Sequence, residues 1–171
     1  YNKGGQAVNI NGWTIADADF DSHVINNGGP LTVAAKGFVV LGINGDTGTN
    51  GGTPIDYAYG SGWFLSNGAD EVILVTPGGV EIDRVEYDGG ATWPDPKGSS
   101  MELSHPSMDN NVGANWGTAS TSWSGNTSGD NGSPNDNNPG WVPVDTDGDG
   151  MSDDYETTHF GGATNGVANA D

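Results

Sequence analysis

The chain contains no cysteine and only four basic residues, Lys3, Lys36, Arg84 and Lys97. Without cysteine no disulfide can staple the fold, so stability rests on an apolar core and on any bound metal. Four cations against 23 acidic residues give a formal net charge of −19. That balance excludes nucleic acid as a partner, because phosphate contacts need clustered Lys and Arg. It also excludes adhesion to an anionic membrane surface. No apolar stretch reaches the roughly 20 residues of a membrane span, so no membrane insertion is expected, and no signal peptide is visible. The three histidines, His23, His105 and His159, stand isolated, and no G-x-S-x-G, H-E-x-x-H or phosphate loop occurs. No enzymatic activity is expected.

What the chain has in abundance is turn chemistry. Thirty of its 171 residues are Gly, and Asn, Asp, Ser and Thr crowd between short apolar segments. Gly and Asn reach the positive φ values that tight turns require. "QAVNI", then Asn11-Gly12, then "WTIAD" predicts a hairpin with a type I′ turn. "PLTVAAKGFVVLG" gives two strands around Lys36-Gly37. In "DEVILVTPGGVEIDRVEY", Val72 and Leu74 lie on one strand and Val80, Ile82 and Val85 on its return, with a bulge expected near Asp83-Arg84. "SSMELS" and "ANWGTAS" add two more strands. Helical periodicity is nearly absent before residue 150, so the segment reads as an all-β, antiparallel sandwich or barrel.

The run from Ala119 to Gly140 is almost wholly small or polar. It reads either as a flexible linker or as a loop that Trp123 docks onto the sandwich. The domain boundary is placed near Pro139-Gly140, giving residues 1–138 and 139–171. Tyr1 opens directly into a turn and Asp171 stops inside an acidic run, which predicts a segment of a longer polypeptide.

The ordered set "YNKGGQAVNINGWTIAD", "GGPLTVAAKGFVVLG", "NGADEVILVTPGGVEIDRVEY", "GSSMELSHPSMDNNVGANWG" and "GSPNDNN" resembles the lamin tail domain family over about residues 1 to 137. The resemblance implies an Ig-like antiparallel β-sandwich of the secreted bacterial type. It departs from the family in one respect. The usual opening strand, of the type "NEI…WIELYN", is represented only by Tyr1 and Asn2. That strand either precedes residue 1 in the longer polypeptide, the reading favoured here, or is supplied by another chain to an open edge.

The most specific chemistry lies in "VDTDGDGMSDDYE", residues 144–156, six carboxylates in thirteen positions with no cation among them. Asp145, Asp147, Asp149, Gly150 and Glu156 fit D-x-[DN]-x-[DN]-G-x5-E in full. Ca²⁺ takes six to eight oxygens, so it needs short carboxylates at alternate positions of a tightly coiled loop. Asp145, Asp147 and Asp149 would supply them, Met151 its backbone carbonyl, Asp153 an oxygen directly or through water, and Glu156 a closing pair. Gly150 permits the bend. "DDYETTHF" then predicts a short helix ended by Gly161-Gly162. The stretch resembles the aspartate-rich calcium repeats of bacterial surface proteins, related to dockerin and thrombospondin type 3 repeats.

Two weaker constellations are weighed against bland readings. Asp17, Asp19 and Asp21 alternate in "DADFDSH" and, with Asp109, make a candidate second metal site; a solvated acidic face is the preferred reading. Tyr57, Tyr59 and Trp63 in "DYAYGSGWF" are candidate glycan contacts, with a polysaccharide as partner, though packing is the default for clustered aromatics. The expected whole is an all-β, Ig-like antiparallel β-sandwich with a C-terminal calcium loop and short helix. It reads as a non-catalytic structural or interaction module of a secreted or cell-surface protein. Its expected partners are Ca²⁺ and other domains or copies of the same protein; a filament or layer built by strand donation is the alternative.

Overall fold

The computed structural model describes residues 1–19, 21–138 and 160–161. The chain divides into two compact units, Tyr1–Pro139 and Gly140–Asp171. In the second unit the described residues are Phe160 and Gly161, the latter in the left-handed region at φ 85°. The expected calcium ligands Asp145, Asp147, Asp149, Met151, Asp153 and Glu156 lie outside the described residues, as does nearly all of the expected helix.

The first unit is built from short strands: β1 (Val8–Asn9), β2 (Thr14–Ala16), β3 (Ser22–Val24), β4 (Thr32–Val33), β5 (Leu41–Gly42), β6 (Tyr57–Ala58), β7 (Ala69–Val75), β8 (Glu81–Asp88), β9 (Met101–Leu103) and β10 (Trp116–Thr118). β3, β2, β7 and β8 form one four-stranded antiparallel sheet in that order. Three two-stranded pairs accompany it: β1 with β4 and β9 with β10, both antiparallel, and β5 with β6, parallel. The fold is all-β, as the sequence pattern predicts, and Ig-like, as the resemblance implies; the parallel β5–β6 pair departs from the expected antiparallel arrangement.

The core lies between the layers. Ile15 on β2 and Val33 on β4 are buried with Ile10, Ile25, Leu31 and Trp63, and half-buried Val8, Trp13, Val39, Leu41, Tyr57, Tyr59, Val72 and Leu74 close around them. Val72 and Leu74, two apart on β7, face this cluster together, as period-two alternation requires. Ile73 between them is also buried, at 5 % exposure, so the central strand is covered on both faces.

The expected hairpin at Asn11-Gly12 is half right. The turn forms, with Gly12 at φ 86° and the Trp13 N–H donating to the Ile10 carbonyl at 3.1 Å. The strands it joins do not pair: β1 pairs with β4, while β2 pairs with β3 and β7. Burying both Ile10 and Ile15 in one core sends the chain across from one layer to the other at this corner. Asn side chains hold it there, with Asn9 Oδ1 accepting from the Leu31 N–H at 3.0 Å and Asn11 Oδ1 from the Asn27 N–H at 2.8 Å.

The bulge expected at Asp83-Arg84 sits one residue earlier. Leu74 pairs with Asp83 and Val75 with Glu81, so Ile82 is the extra residue on β8. Val80 and Ile82 consequently stay more than half exposed instead of joining the core. The strands expected in "SSMELS" and "ANWGTAS" form and pair with each other.

The run from Ala119 to Asn138 is tied to the sandwich. Trp123 Nε1 donates to the Gly52 carbonyl at 3.1 Å, Thr127 N–H to Gly51 at 2.9 Å and Ser100 N–H to Asn131 at 3.0 Å. The docked reading of Trp123 therefore holds, and the linker reading does not.

Candidate functional site

The alternating aspartates of the first unit do not lie extended. β2 ends at Ala16 and the antiparallel β3 begins at Ser22, so the chain reverses between them. Asp17 Oδ1 accepts the N–H groups of Asp19 at 2.9 Å and Asp21 at 3.0 Å, while the Asp17 N–H donates to the Asp21 carbonyl. One carboxylate thus closes the turn locally, the use to which short Asp side chains are commonly put. Asp109 belongs to a different loop, where its Oδ1 accepts from the Asn111 N–H at 2.9 Å. Among the described residues no three acidic or histidine side chains gather in a metal-holding group, so Asp17, Asp19, Asp21 and Asp109 are not brought together. The loop "NGDTGTNGGT" is likewise a self-capped turn, in which Asp46 Oδ1 accepts from Gly48 at 2.9 Å.

The aromatic group around residues 57–64 faces inward. Trp63 is 4 % exposed and Tyr59 meets it edge to face at 5.2 Å between centroids. Burial pushes the Tyr59 hydroxyl above its ordinary range. Tyr57 packs on the same core, and its hydroxyl accepts from the Asn26 N–H at 3.0 Å and lies 2.7 Å from His23 Nε2. Trp63 Nε1 finds no hydrogen-bond partner among the described residues. Trp63, buried in the core, has no open face to stack on a sugar, and Tyr57 and Tyr59 are half-buried against the same cluster. Only Phe64 of this stretch stands out, at 52 % exposure.

Two of the strand edges, those of β8 and β5, are treated differently. On β8, Asp83 Oδ1 takes the Arg84 N–H at 3.0 Å and Asn111 Oδ1 takes the Glu86 N–H at 2.7 Å. Arg84 further clamps Glu81 and Glu86 at 2.8 and 3.1 Å, which lowers the Glu81 carboxyl through the Arg84 hydrogen bond. Charged, self-satisfied edges resist pairing with another chain. β5 has no such cover. Val40 turns its backbone to the β6 side, its C=O accepting from Asp56 and Tyr57 at 2.9 and 3.2 Å, and Gly42 C=O accepts from Tyr59 at 2.9 Å. By alternation Val39 and Leu41 face away from β6, and no strand of the described residues lies along that side. Asn2 borders its start, donating to the Gly37 carbonyl at 2.9 Å and accepting from Lys36 at 3.0 Å.

A cleft of about 560 Å³ opens between residues 98–102 and the docked 123–138 segment. Trp123 forms one wall, and Glu102, Asp130, Asn131, Ser133 and Asn138 supply polar groups. Asn138 Nδ2 donates to the Leu103 carbonyl at 2.6 Å, which turns its Oδ1 toward Ser133 Oγ at 2.6 Å. Ser133 Oγ is also 2.8 Å from Glu102 Oε1. No expectation from sequence pointed here, because the lining comes from Thr53 and from two segments more than twenty residues apart that share no motif.

Elsewhere the first unit's carboxylates serve as caps. Asp88 accepts from the Thr92 hydroxyl at 2.6 Å and from the N–H groups of Thr92, Trp93 and Gly90, and these bonds hold its carboxyl below the usual range. The turn so formed delivers Trp93, 6 % exposed, onto Trp116 at 5.6 Å between centroids. Beside it, desolvation together with Asp70 and Glu71 pushes the Tyr87 hydroxyl up to about 12.

The family model described as Lamin Tail Domain matches residues 1–89, just over half of the 171-residue chain. No curated protein and no solved structure matches it.

Proposed function

The chain belongs to the lamin tail domain family, and from that premise we propose a non-catalytic structural and interaction module of a secreted or cell-surface protein, stabilised by Ca²⁺ in its C-terminal unit. The Ig-like, all-β first unit supplies a scaffold compatible with that role. The observation that carries the calcium reading is the complete match of residues 145–156 to a calcium-loop pattern. Asp145, Asp147 and Asp149 with one oxygen each, the Met151 carbonyl, Asp153 and a bidentate Glu156 make about seven oxygens, within the six to eight that Ca²⁺ takes. Two like charges about 4 Å apart repel by roughly 4 kcal/mol at an effective dielectric near 20, so the loop favours a cation at its centre. Binding in the range of about 10⁻⁴ to 10⁻³ M suits an extracellular module. Chelation is expected to lower the melting temperature and to expose the chain to protease after Val144. Melting and digestion that ignore chelator would remove calcium from the reading.

A second reading, assembly into a filament or layer by strand donation, concerns the side of β5 along which no strand of the described residues lies. A strand from another copy laid along Val39 and Leu41 would pair with backbone groups that β6 leaves unused. Val39→Pro removes one of those donors and no hydrogen bond within the described residues. Sedimentation of the wild type as an oligomer and of the variant as a monomer is the expected outcome; a wild type that is monomeric at all concentrations contradicts it.

A further inference from the structure

We propose that the cleft beside Trp123 is a binding site for a neutral saccharide. This inference stands apart from the calcium reading and uses only residues of the first unit. Three observations carry it.

The first is the aromatic wall. Trp123 is half-buried, and its only polar atom is already satisfied by the Gly52 carbonyl at 3.1 Å. The ring is thereby fixed in one orientation as a cleft wall. The chain at Gly132 lies against the ring, where a Cβ would make ordinary contact at 3.6 and 3.7 Å from Cζ3 and Cε3 of the indole. A fixed indole presents the electron-rich face on which the weakly positive C–H face of a pyranose ring packs.

The second is an excess of acceptors over donors. The Ser133 hydroxyl carries one proton and stands between two acceptors, Glu102 Oε1 and Asn138 Oδ1. It satisfies one at a time. The Asn138 amide cannot turn to donate instead, because its Nδ2 is committed to the Leu103 carbonyl. The Asp130 carboxylate lines the same cleft and accepts no hydrogen bond from the described residues. A ligand that completes this set must bring several hydroxyl-type donors.

The third is charge. The lining holds two carboxylates and no Lys, Arg or His. An anionic ligand, such as a uronic acid polymer, would meet uncompensated repulsion. A ligand with an apolar face, many hydroxyl donors and no negative charge is a neutral sugar. The volume, about 560 Å³, falls within the roughly 300–1,000 Å³ of small-ligand pockets.

The test is affinity electrophoresis of the full chain, with Ca²⁺ in excess throughout, in gels containing soluble β-glucan, xylan or glucomannan. Polygalacturonate and glycol chitosan serve as anionic and cationic controls. Retardation by at least one neutral polysaccharide, and none by polygalacturonate, is expected. Trp123→Ala should weaken it at least about tenfold, and Asp130→Ala by a factor on the order of ten, the equivalent of one lost hydrogen bond to a charged group. Asp130→Ala removes no side-chain hydrogen bond among the described residues, so it decides the matter if Trp123→Ala proves unstable. No retardation by any neutral polysaccharide overturns the proposal. So does retardation that Asp130→Ala leaves unchanged, or stronger retardation by glycol chitosan than by every neutral polymer.

Discussion

Two aspartate runs in this chain share a spacing and differ in everything around it. Asp17, Asp19 and Asp21 alternate as Asp145, Asp147 and Asp149 do. Counted from its first aspartate, the earlier run has Ser22 at the sixth position and Gly28 at the twelfth. The later run has Gly150 and Glu156 there. In the earlier run one carboxylate oxygen, Asp17 Oδ1, accepts two N–H groups of its own turn and is engaged by the chain. Alternation alone is therefore a turn signal as much as a metal signal. What separates the two in sequence is a glycine at the sixth position and an acid seven residues beyond the third aspartate, which the proposed calcium loop needs for its bend and its closing ligand.

The largest expected effect comes from the later run. At Ca²⁺ about a hundredfold above Kd, a site that exists only when folded stabilises its unit by about 2.7 kcal/mol. Chelator titration monitored by calorimetry should reveal that loss, and Asp149→Ala should abolish the difference between calcium and chelator. Asp17→Ala should instead cost about 1 kcal/mol through its lost turn hydrogen bonds, identically with and without calcium. If that cost depends on calcium, the two runs are not as distinct as proposed. Asp17→Asn keeps an acceptor oxygen in place and should fall within a few tenths of a kcal/mol of the wild type.

The smallest effect should appear in acid. Asp88 and Glu81 have folded carboxyl values held below the ordinary 3.8 and 4.5. Groups depressed in this way contribute stability above those values that is lost as pH falls through the folded ones. A decline in melting temperature below about pH 4.5, softened in Asp88→Asn, would show that the first unit's carboxylates act as caps. Tyr87 works in the opposite direction. Its hydroxyl is raised to about 12, so its contribution is complete below the ordinary value of 10 and is lost as pH rises toward 12.

Much of the scaffold was legible in the sequence because it depends on local alternation and turn residues. Val72 and Leu74 lie on one strand as read, and β9 and β10 formed where "SSMELS" and "ANWGTAS" stand. Pairing partners were not legible. Asn11-Gly12 specifies a turn, but nothing within it says that β1 will leave for β4. The bulge at Ile82 is set by the meeting of two strands and leaves only a broken alternation in the sequence. Aromatic density around Tyr57 and Trp63 did not distinguish a platform from a core, since the distinction depends on what lies opposite. The same limit hid the cleft: Trp123, Glu102 and Ser133 become neighbours only when the polar run from Ala119 folds back along residues 98–102. The proposed calcium ligands, by contrast, all fall within twelve residues of sequence and lie outside the described residues.

Titrating Ca²⁺ into the full chain by isothermal calorimetry, beside the Asp149→Ala and Asp17→Ala variants, is the most direct trial. One site of about 10⁻⁴ to 10⁻³ M, lost in Asp149→Ala and intact in Asp17→Ala, is the predicted result. Absence of binding in the wild type, or binding that Asp17→Ala abolishes, would contradict it.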